Sequence, residues 1–214
     1  MTVVKFEHIP IQESNEELVD LSTYNFVLEP SYFKQGLSST EKMFLRKSVA
    51  NKLSNIQNSL KGYRFKIWDG YRPRELQNTI YEKYWNELKI KHPDWSDEKL
   101  EAEVTKFIAF PNDPTRIPPH TTGGTIDLTL VDSSGKELDM GTGFDYFGPE
   151  AAPFYFDEND INKEAKQNRK LLRTAMIDAG FHNNENEWWH FDYGNQIWAA
   201  HYHKPFAIYG EVIK

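Results

Sequence analysis

Cysteine is absent from the 214 residues. That removes disulfides and thiolate metal sites together, so any zinc in this chain must be held by His, Asp or Glu. A long apolar run is missing too: no stretch of about 18 apolar residues occurs, and no membrane span is expected. The start, Met1-Thr-Val-Val-Lys-Phe-Glu-His-Ile-Pro10, has no basic opening followed by an apolar segment and a small-residue cleavage site, which reads as a cytoplasmic, unanchored protein. Basic clusters are lacking as well. With 32 acidic against 25 basic residues the net charge is −7, the wrong sign for nucleic acid or anionic lipid, and a small molecule or peptide is the better-matched partner.

What is present describes a folded chain. A composition 39% hydrophobic and 14% aromatic supplies a core and excludes a disordered tail, and the length fits one domain over residues 1–214. No internal repeat, low-complexity tract or clear linker divides it.

Leu45, Val49, Leu53, Ile56 and Leu60 fall at steps of three and four, which predicts a helix from Ser39 to about Tyr63, capped by Ser39 or Thr40. Tyr63-Arg-Phe-Lys-Ile-Trp-Asp69 alternates as a strand and ends in the turn Asp69-Gly-Tyr-Arg-Pro73. Pro73 suits the first turn of a helix carrying Leu76, Ile80, Tyr84 and Leu88, and a third helix follows with Leu100, Val104, Phe107 and Ile108. Four prolines between Phe110 and Pro119 make the next stretch a loop that delivers the chain to His120.

A strand is predicted from Gly124 to Asp132, with hairpin chemistry at Asp132-Ser-Ser-Gly135. Gly141 to about Asp160 reads as a mobile, acid-rich segment. A last long helix spans roughly Asn162 to Ala179 and stops at Gly180, and the aromatic run Glu187 to Tyr193 favours a strand. Helices first and last with strands between predict an α+β domain: a small, mostly antiparallel sheet with flanking helices.

Of the seven histidines, His120 and His190 stand beside carboxylates, in His120-Thr-Thr-Gly-Gly-Thr-Ile-Asp127 and Glu187-Trp-Trp-His190. His120, Asp127 and His190 would give two nitrogens and one oxygen to a metal, leaving a fourth position for water. Residues seven or three apart point to opposite faces of a regular strand, so neither pair can share one uninterrupted strand. Gly123 and Gly124 offer the break in the first segment, and Glu187 belongs at the entry to the second strand with His190 inside it. Glu187 would then act as general base, and Arg72, held in its turn at a strand end, would meet charge developing on a carbonyl oxygen. Each segment alone is ordinary: an Asp-Gly-Tyr-Arg-Pro turn commonly carries a solvated arginine, and a tryptophan pair is more often core than platform.

In combination and in order, Asp69-Gly-Tyr-Arg-Pro73, His120-x-x-Gly-x-x-x-Asp127-Leu-Thr-Leu, Leu138-Asp-Met-Gly-Thr-Gly-Phe-Asp145, Asn168-Arg-Lys-Leu-Leu-Arg-x-Ala-Met-x-x-Ala-Gly-Phe181 and Glu187-Trp-Trp-His-Phe191 make the chain resemble the D-alanyl-D-alanine dipeptidases. That family includes the VanX enzymes of vancomycin resistance. The resemblance implies one zinc ion (Zn2+) on His120, Asp127 and His190, with Glu187 as catalytic base and Arg72 stabilising the transition state. It also implies Asp145 as the residue holding the free ammonium of a small dipeptide. The fold implied is that of the zinc D,D-carboxypeptidases and the hedgehog signalling domain. Pro118-Pro119 stand where familiar members often carry serines, and the segment from about Trp85 to Pro119 matches no motif.

The resemblance implies hydrolysis of D-Ala-D-Ala to two D-alanines. The rivals are a related peptidoglycan D,D- or L,D-carboxypeptidase, a non-catalytic zinc-binding recognition domain, and a di-iron bundle using Glu-x-x-His. The last would need a second such motif and further carboxylate helices. A homo-oligomer is left open.

Overall fold

The computed structural model describes residues 8–113, 116–159 and 161–213. Outside them lie residues 1–7, on which the reading of the chain start falls, residues 114–115 of the proline-rich loop, Asp160 and Lys214. Strands β1 (Leu18–Asp20) and β2 (Val27–Leu28) precede a single-turn helix, α1 (Ser31–Lys34). Strand β3 (Phe44–Arg46) runs straight into α2 (Lys47–Ser59), then β4 (Tyr63–Asp69), α3 (Arg74–Lys91) and α4 (Asp97–Val104). After β5 (Thr125–Asp132) come α5 (Tyr155–Asn159), α6 (Lys163–Asp178), β6 (His182–Asn183), β7 (His190–Asp192) and α7 (Gln196–His201).

Five strands form one sheet in the order β2-β4-β5-β7-β6, antiparallel except between β2 and β4, and β1 pairs with β3 separately. The α+β expectation is borne out. Alternation decides what each face of the sheet carries. Phe65 and Ile67 of β4, Ile126, Leu128 and Leu130 of β5 and Phe191 of β7 share one buried cluster with Val49, Leu53 and Ile56 of α2 and Leu172 and Met176 of α6. Each such side chain is worth about 1.5–3 kcal/mol when removed from water.

The intervening residues Thr125, Asp127, Thr129, His190 and Asp192 take the other face, and they are buried too. A second cluster, built from Tyr32, Ile80, Tyr81, Val104 and Ile108, belongs to the α1 and α3–α4 part of the chain that helps roof this polar face. A central strand covered on both sides keeps its chemical alternation while losing any alternation in exposure.

Several local expectations are corrected. The helix predicted from Ser39 begins only at Lys47, with no side-chain cap. Met43 and Leu45 are buried at a spacing of two, and Arg46 donates to the Thr122 and Glu16 carbonyls at 2.9 and 2.6 Å, so this stretch serves as a strand. The strand expected over Glu187 to Tyr193 shrinks to His190–Asp192. Trp188 and Trp189 are both buried, at 2% and 1% exposure, which consecutive strand positions facing opposite sides do not readily provide at a sheet end. The chain turns instead, and Trp188 N donates to the Ala151 carbonyl at 2.9 Å. The long helix after Asn162 forms as expected, as α6, but a short helix that the sequence reading lacks, α7, follows it, capped by Asn195, whose Oδ1 accepts from Trp198 N at 2.9 Å. The third helix stops at Val104, leaving Phe107 and Ile108 in the following turn.

The segment read as mobile from Gly141 onward is built structure, with a 3-10 turn at Pro149–Ala151 and α5. Arg169 of α6, 2% exposed, donates to the carbonyls of Met140, Ala152 and Glu150 at 2.7, 2.8 and 2.9 Å. Three carbonyls of the 140–152 segment hang on one side chain. Arg169→Ala is expected to destabilise the protein by about 3–5 kcal/mol, since it leaves three carbonyls without their charged donor; a chemical-denaturation midpoint within error of the native value would contradict this.

Candidate metal centre and catalytic pocket

The centre is assembled by strand register. Asp127 of β5 lies directly across from His190 of β7 and, on its other side, across from Asp69 of β4. A bulge between Ile67 and Asp69 inserts Trp68 and brings Asp69 into line; bulges re-aim side chains in this way. His120 arrives from outside the sheet on the 3-10 turn Pro119–Thr122, which ends in Gly123 at φ 70. A Cβ there would sit 2.6 Å from Leu18 Cδ2, and one on Gly124 would run into the Tyr193 carbonyl oxygen. The glycine pair is therefore the break that lets His120 fold back over Asp127.

His120 Nε2 lies 3.3 Å from Asp127 Oδ2, and His190 Nδ1 lies 3.3 Å from Asp127 Oδ1. One ligand atom from each of the three residues can be chosen so that all lie within 4.8 Å of one another. Asp127 Oδ1 is buried without a hydrogen-bond partner, in a protein interior where such atoms are normally satisfied. A divalent cation between two imidazoles and this carboxylate would satisfy it, and the N, N, O donor set with a position left open suits zinc.

Around these three stand the other residues singled out from the sequence. Glu187 Oε2 is 3.3 Å from His190 Nδ1, beside the metal position. Burial pushes its carboxyl up to about 8; His190 opposes this, and the carboxylates of Asp127 and Asp145 add to it. Arg72 is 5% exposed. Its Nε donates to Asp69 Oδ2 and its Nη1 to Gln77 Oε1, each at 2.9 Å, while Nη2 donates to the Tyr32 hydroxyl at 3.2 Å and stands 3.7 Å from Asp127 Oδ2. The far side of the pocket holds Asp145. It takes a left-handed backbone, φ 58, and accepts from the Tyr32 hydroxyl at 3.4 Å. Burial first, and repulsion from Asp127 second, lift its carboxyl to about 7 despite the pull of Arg72.

All six predicted residues therefore line one cavity of about 50 Å³, together with Tyr32, Gln77 and residues of the 105–109 stretch. A larger hollow of about 310 Å³ shares Tyr32 with it but holds none of the six. The tryptophan pair is core, with Trp188 packed edge-on against Trp68 at 5.9 Å.

Four residues escaped the sequence reading. Asp69 lies within the Asp-Gly-Tyr-Arg-Pro motif and was read as turn chemistry, although its spacing of three from Arg72 is the spacing of the pair it forms, 2.8 Å apart. Asp192 stands two residues beyond His190, which on a strand means the same face. Tyr32 gave no local signal, since it reaches Arg72 from a distant segment, and Gln77, five residues beyond Arg72, reads only as a polar position of a helix.

A family model described as D-ala-D-ala dipeptidase matches residues 24–209. The D-alanyl-D-alanine dipeptidase of Synechocystis sp. (strain ATCC 27184 / PCC 6803 / Kazusa) is 28% identical over 235 residues, covering 95% of each chain. That of Escherichia coli (strain K12) is 31% identical over 145 residues, covering 68% of this chain and 62% of its own. Among solved structures, VanYB in complex with D-Alanine-D-Alanine matches with a TM-score of 0.52 at 16% identity, covering 89% of this chain and 85% of that one, which is a likeness of fold. With a family model spanning nearly the whole sequence, the chain belongs to the D-alanyl-D-alanine dipeptidase family of zinc metallopeptidases.

Proposed function

We propose that residues 1–214 work as one dipeptidase domain that hydrolyses free D-Ala-D-Ala to two D-alanines in the cytoplasm. The observation that carries the reading is the convergence in one small cavity of a three-residue metal group, a buried glutamate beside it, an arginine and a separate acid. Zinc held by His120 Nε2, Asp127 and His190 Nδ1 would polarise the scissile carbonyl and acidify the attacking water.

The remaining work falls to the chain. Glu187 takes the proton from the water and returns it to the leaving amine nitrogen; a carboxyl lifted toward neutrality by burial suits both transfers. Arg72, fixed by Asp69, Gln77 and Tyr32 before substrate arrives, donates from Nη2 to negative charge developing on the carbonyl oxygen. Donors set in place beforehand are typically worth about 2.7–4 kcal/mol each. Asp145, with Tyr32 beside it, holds the free ammonium of the dipeptide. An N-acylated substrate would leave this carboxylate buried without its cation, a penalty of several kcal/mol that favours free dipeptides over longer, blocked peptides.

Release of D-alanine from D-Ala-D-Ala by zinc-loaded protein, run beside L-Ala-L-Ala and N-acetyl-D-Ala-D-Ala, tests the reading. Turnover should be confined to the free D,D-dipeptide, and Glu187→Ala should lose about 10²–10⁴-fold in kcat. Stoichiometric zinc without turnover of any peptide would point instead to a recognition domain, and equal cleavage of the acetylated substrate would remove Asp145 from the role given to it. Asp145→Asn should lower kcat/KM for the free dipeptide by at least about 10²-fold, on the same several-kcal/mol penalty.

The acid also leaves a mark on stability. Because its folded pKa lies above the ordinary carboxylate value, its stabilising share is fully present below about pH 4 and lost as the pH rises through about 7. Thermal melts of metal-free protein between pH 4 and 8 should therefore fall less steeply for Asp145→Asn than for the native chain, by on the order of 1–3 kcal/mol across the window. Parallel curves would show that Asp145 does not ionise against burial.

A further inference from the structure

The two histidines turn different nitrogens toward the metal position, and each is set by what its other nitrogen meets. His120 faces inward with Nε2, while its Nδ1 lies 2.8 Å from the Gly70 carbonyl oxygen. His190 faces inward with Nδ1, and its Nε2 points away, 3.3 Å from both carboxylate oxygens of Asp192. A neutral imidazole binds a metal through the nitrogen that carries no proton, and the hydrogen bond at the other nitrogen decides which one that is.

Asp192 is fully buried, at 0% exposure. Its Oδ1 accepts from Thr125 Oγ1 at 2.8 Å and from Asn195 Nδ2 at 2.6 Å. Its Oδ2 faces His182 Nδ1 at 3.8 Å, and the His182 ring lies against His201 with centroids 4.2 Å apart. Strand register provides this surrounding, since Asp192 sits directly opposite Thr125 on β5 and opposite His182 on β6. Asn195 bonds Thr125 Oγ1 as well, at 3.1 Å, while capping α7.

A hydroxyl and an amide would be served equally well by a neutral acceptor, and a carboxylate withdrawn from water is expensive to keep. The imidazoles are the partners that gain from its charge. Of these His190 is the nearer, and His190 faces the metal group. We propose that Asp192 is a positioning residue of the centre: by accepting the Nε2 proton of His190 it fixes the ring orientation and tautomer that leave Nδ1 open to the metal. Thr125 and Asn195 hold the carboxylate in place, and His182 closes its outer side. The inference rests on the reading of His120, Asp127 and His190 as metal ligands.

Asp192→Asn discriminates sharply. The side-chain oxygen of Asn can still accept from Thr125 and Asn195, which occupy it, and its NH2 takes the place of Oδ2, 3.3 Å from His190 Nε2. That group donates to Nε2 and moves the ring proton to Nδ1, where it blocks the metal. Zinc affinity, measured by chelator competition, is expected to fall about 10–100-fold, with the melting temperature of the metal-free protein changed little. Long-range 1H–15N spectra of the zinc-loaded native protein, labelled at histidine, should show His190 ligating through Nδ1 with a proton on Nε2, and His120 the reverse.

The spectra need no variant, so they decide the matter if Asp192→Asn does not fold. Native zinc affinity in Asp192→Asn, or His190 ligating through Nε2 in the native spectra, would overturn the positioning role while leaving the dipeptidase reading intact. Failure of the native protein to take up zinc would overturn that reading and this inference with it.

Discussion

β5 is held between β4 and β7 in a register that sets Asp127 across from His190 on one side and from Asp69 on the other, and the polar half of the molecule depends on that pairing. A slip of one residue would turn Asp127 into the apolar cluster and present Ile126 or Leu128 in its place. What guards against the slip is the opposite face: Ile126, Leu128 and Leu130 are each fully buried among side chains of α2 and α6, and a one-residue slip would turn all three out of that cluster. The apolar face thus fixes the chemistry on the polar one.

The same register creates an electrostatic problem. Asp69 and Asp127 are adjacent on neighbouring strands, Glu187 and Asp192 are buried close by, and Asp145 closes the pocket. Arg72 meets both members of the adjacent pair, at 2.8 Å from Asp69 Oδ2 and 3.7 Å from Asp127 Oδ2, and His120 lies between the same two carboxylates at 3.4 and 3.3 Å. One guanidinium cannot balance five acids. Burial first, and the neighbouring carboxylates after it, lift the carboxyls of Glu187 and Asp145 to about 8 and about 7, whereas Asp127, which burial would raise, is held well below the ordinary carboxylate range by the two histidines. A cluster of this sign and density favours positive charge from outside the chain, which the proposed function supplies as a cation at the histidines and an ammonium at Asp145.

The sequence carried the site better than it carried the scaffold. His120, Asp127, Glu187 and His190 could be read because metal chemistry needs those side chains in short segments, and Gly123 because only a left-handed residue allows the fold-back. The role of Arg72 follows from a cation held in a turn at a strand end, whereas Asp145 comes through the family resemblance and not through any local pattern. Asp69, Asp192, Tyr32 and Gln77 escape the sequence reading because what they do is hold another side chain, and spacing alone does not say which neighbour a side chain will meet once strands and helices are packed. The misplaced start of α2 has a related cause. Leu45 belongs to the apolar stripe of α2 by spacing but to a strand paired with β1 by structure, and periodicity cannot tell the end of one from the beginning of the other.

The stretch from about Trp85 to Pro119 matched no motif, yet its position gives it a task. The turn after α4 contributes Thr105, Lys106, Phe107, Ile108 and Ala109 to the wall of the candidate cavity, and Gln77 of α3 bridges from Arg72 Nη1 to the Ala109 carbonyl at 2.9 and 2.8 Å. Phe107 and Tyr84 pack on Phe147, two residues beyond Asp145. This part of the chain therefore ties the arginine on one side of the cavity to the acid segment on the other. Its contribution is made through backbone carbonyls and through aromatic packing, which many sequences can supply, so a wall that shapes the cavity leaves no motif behind.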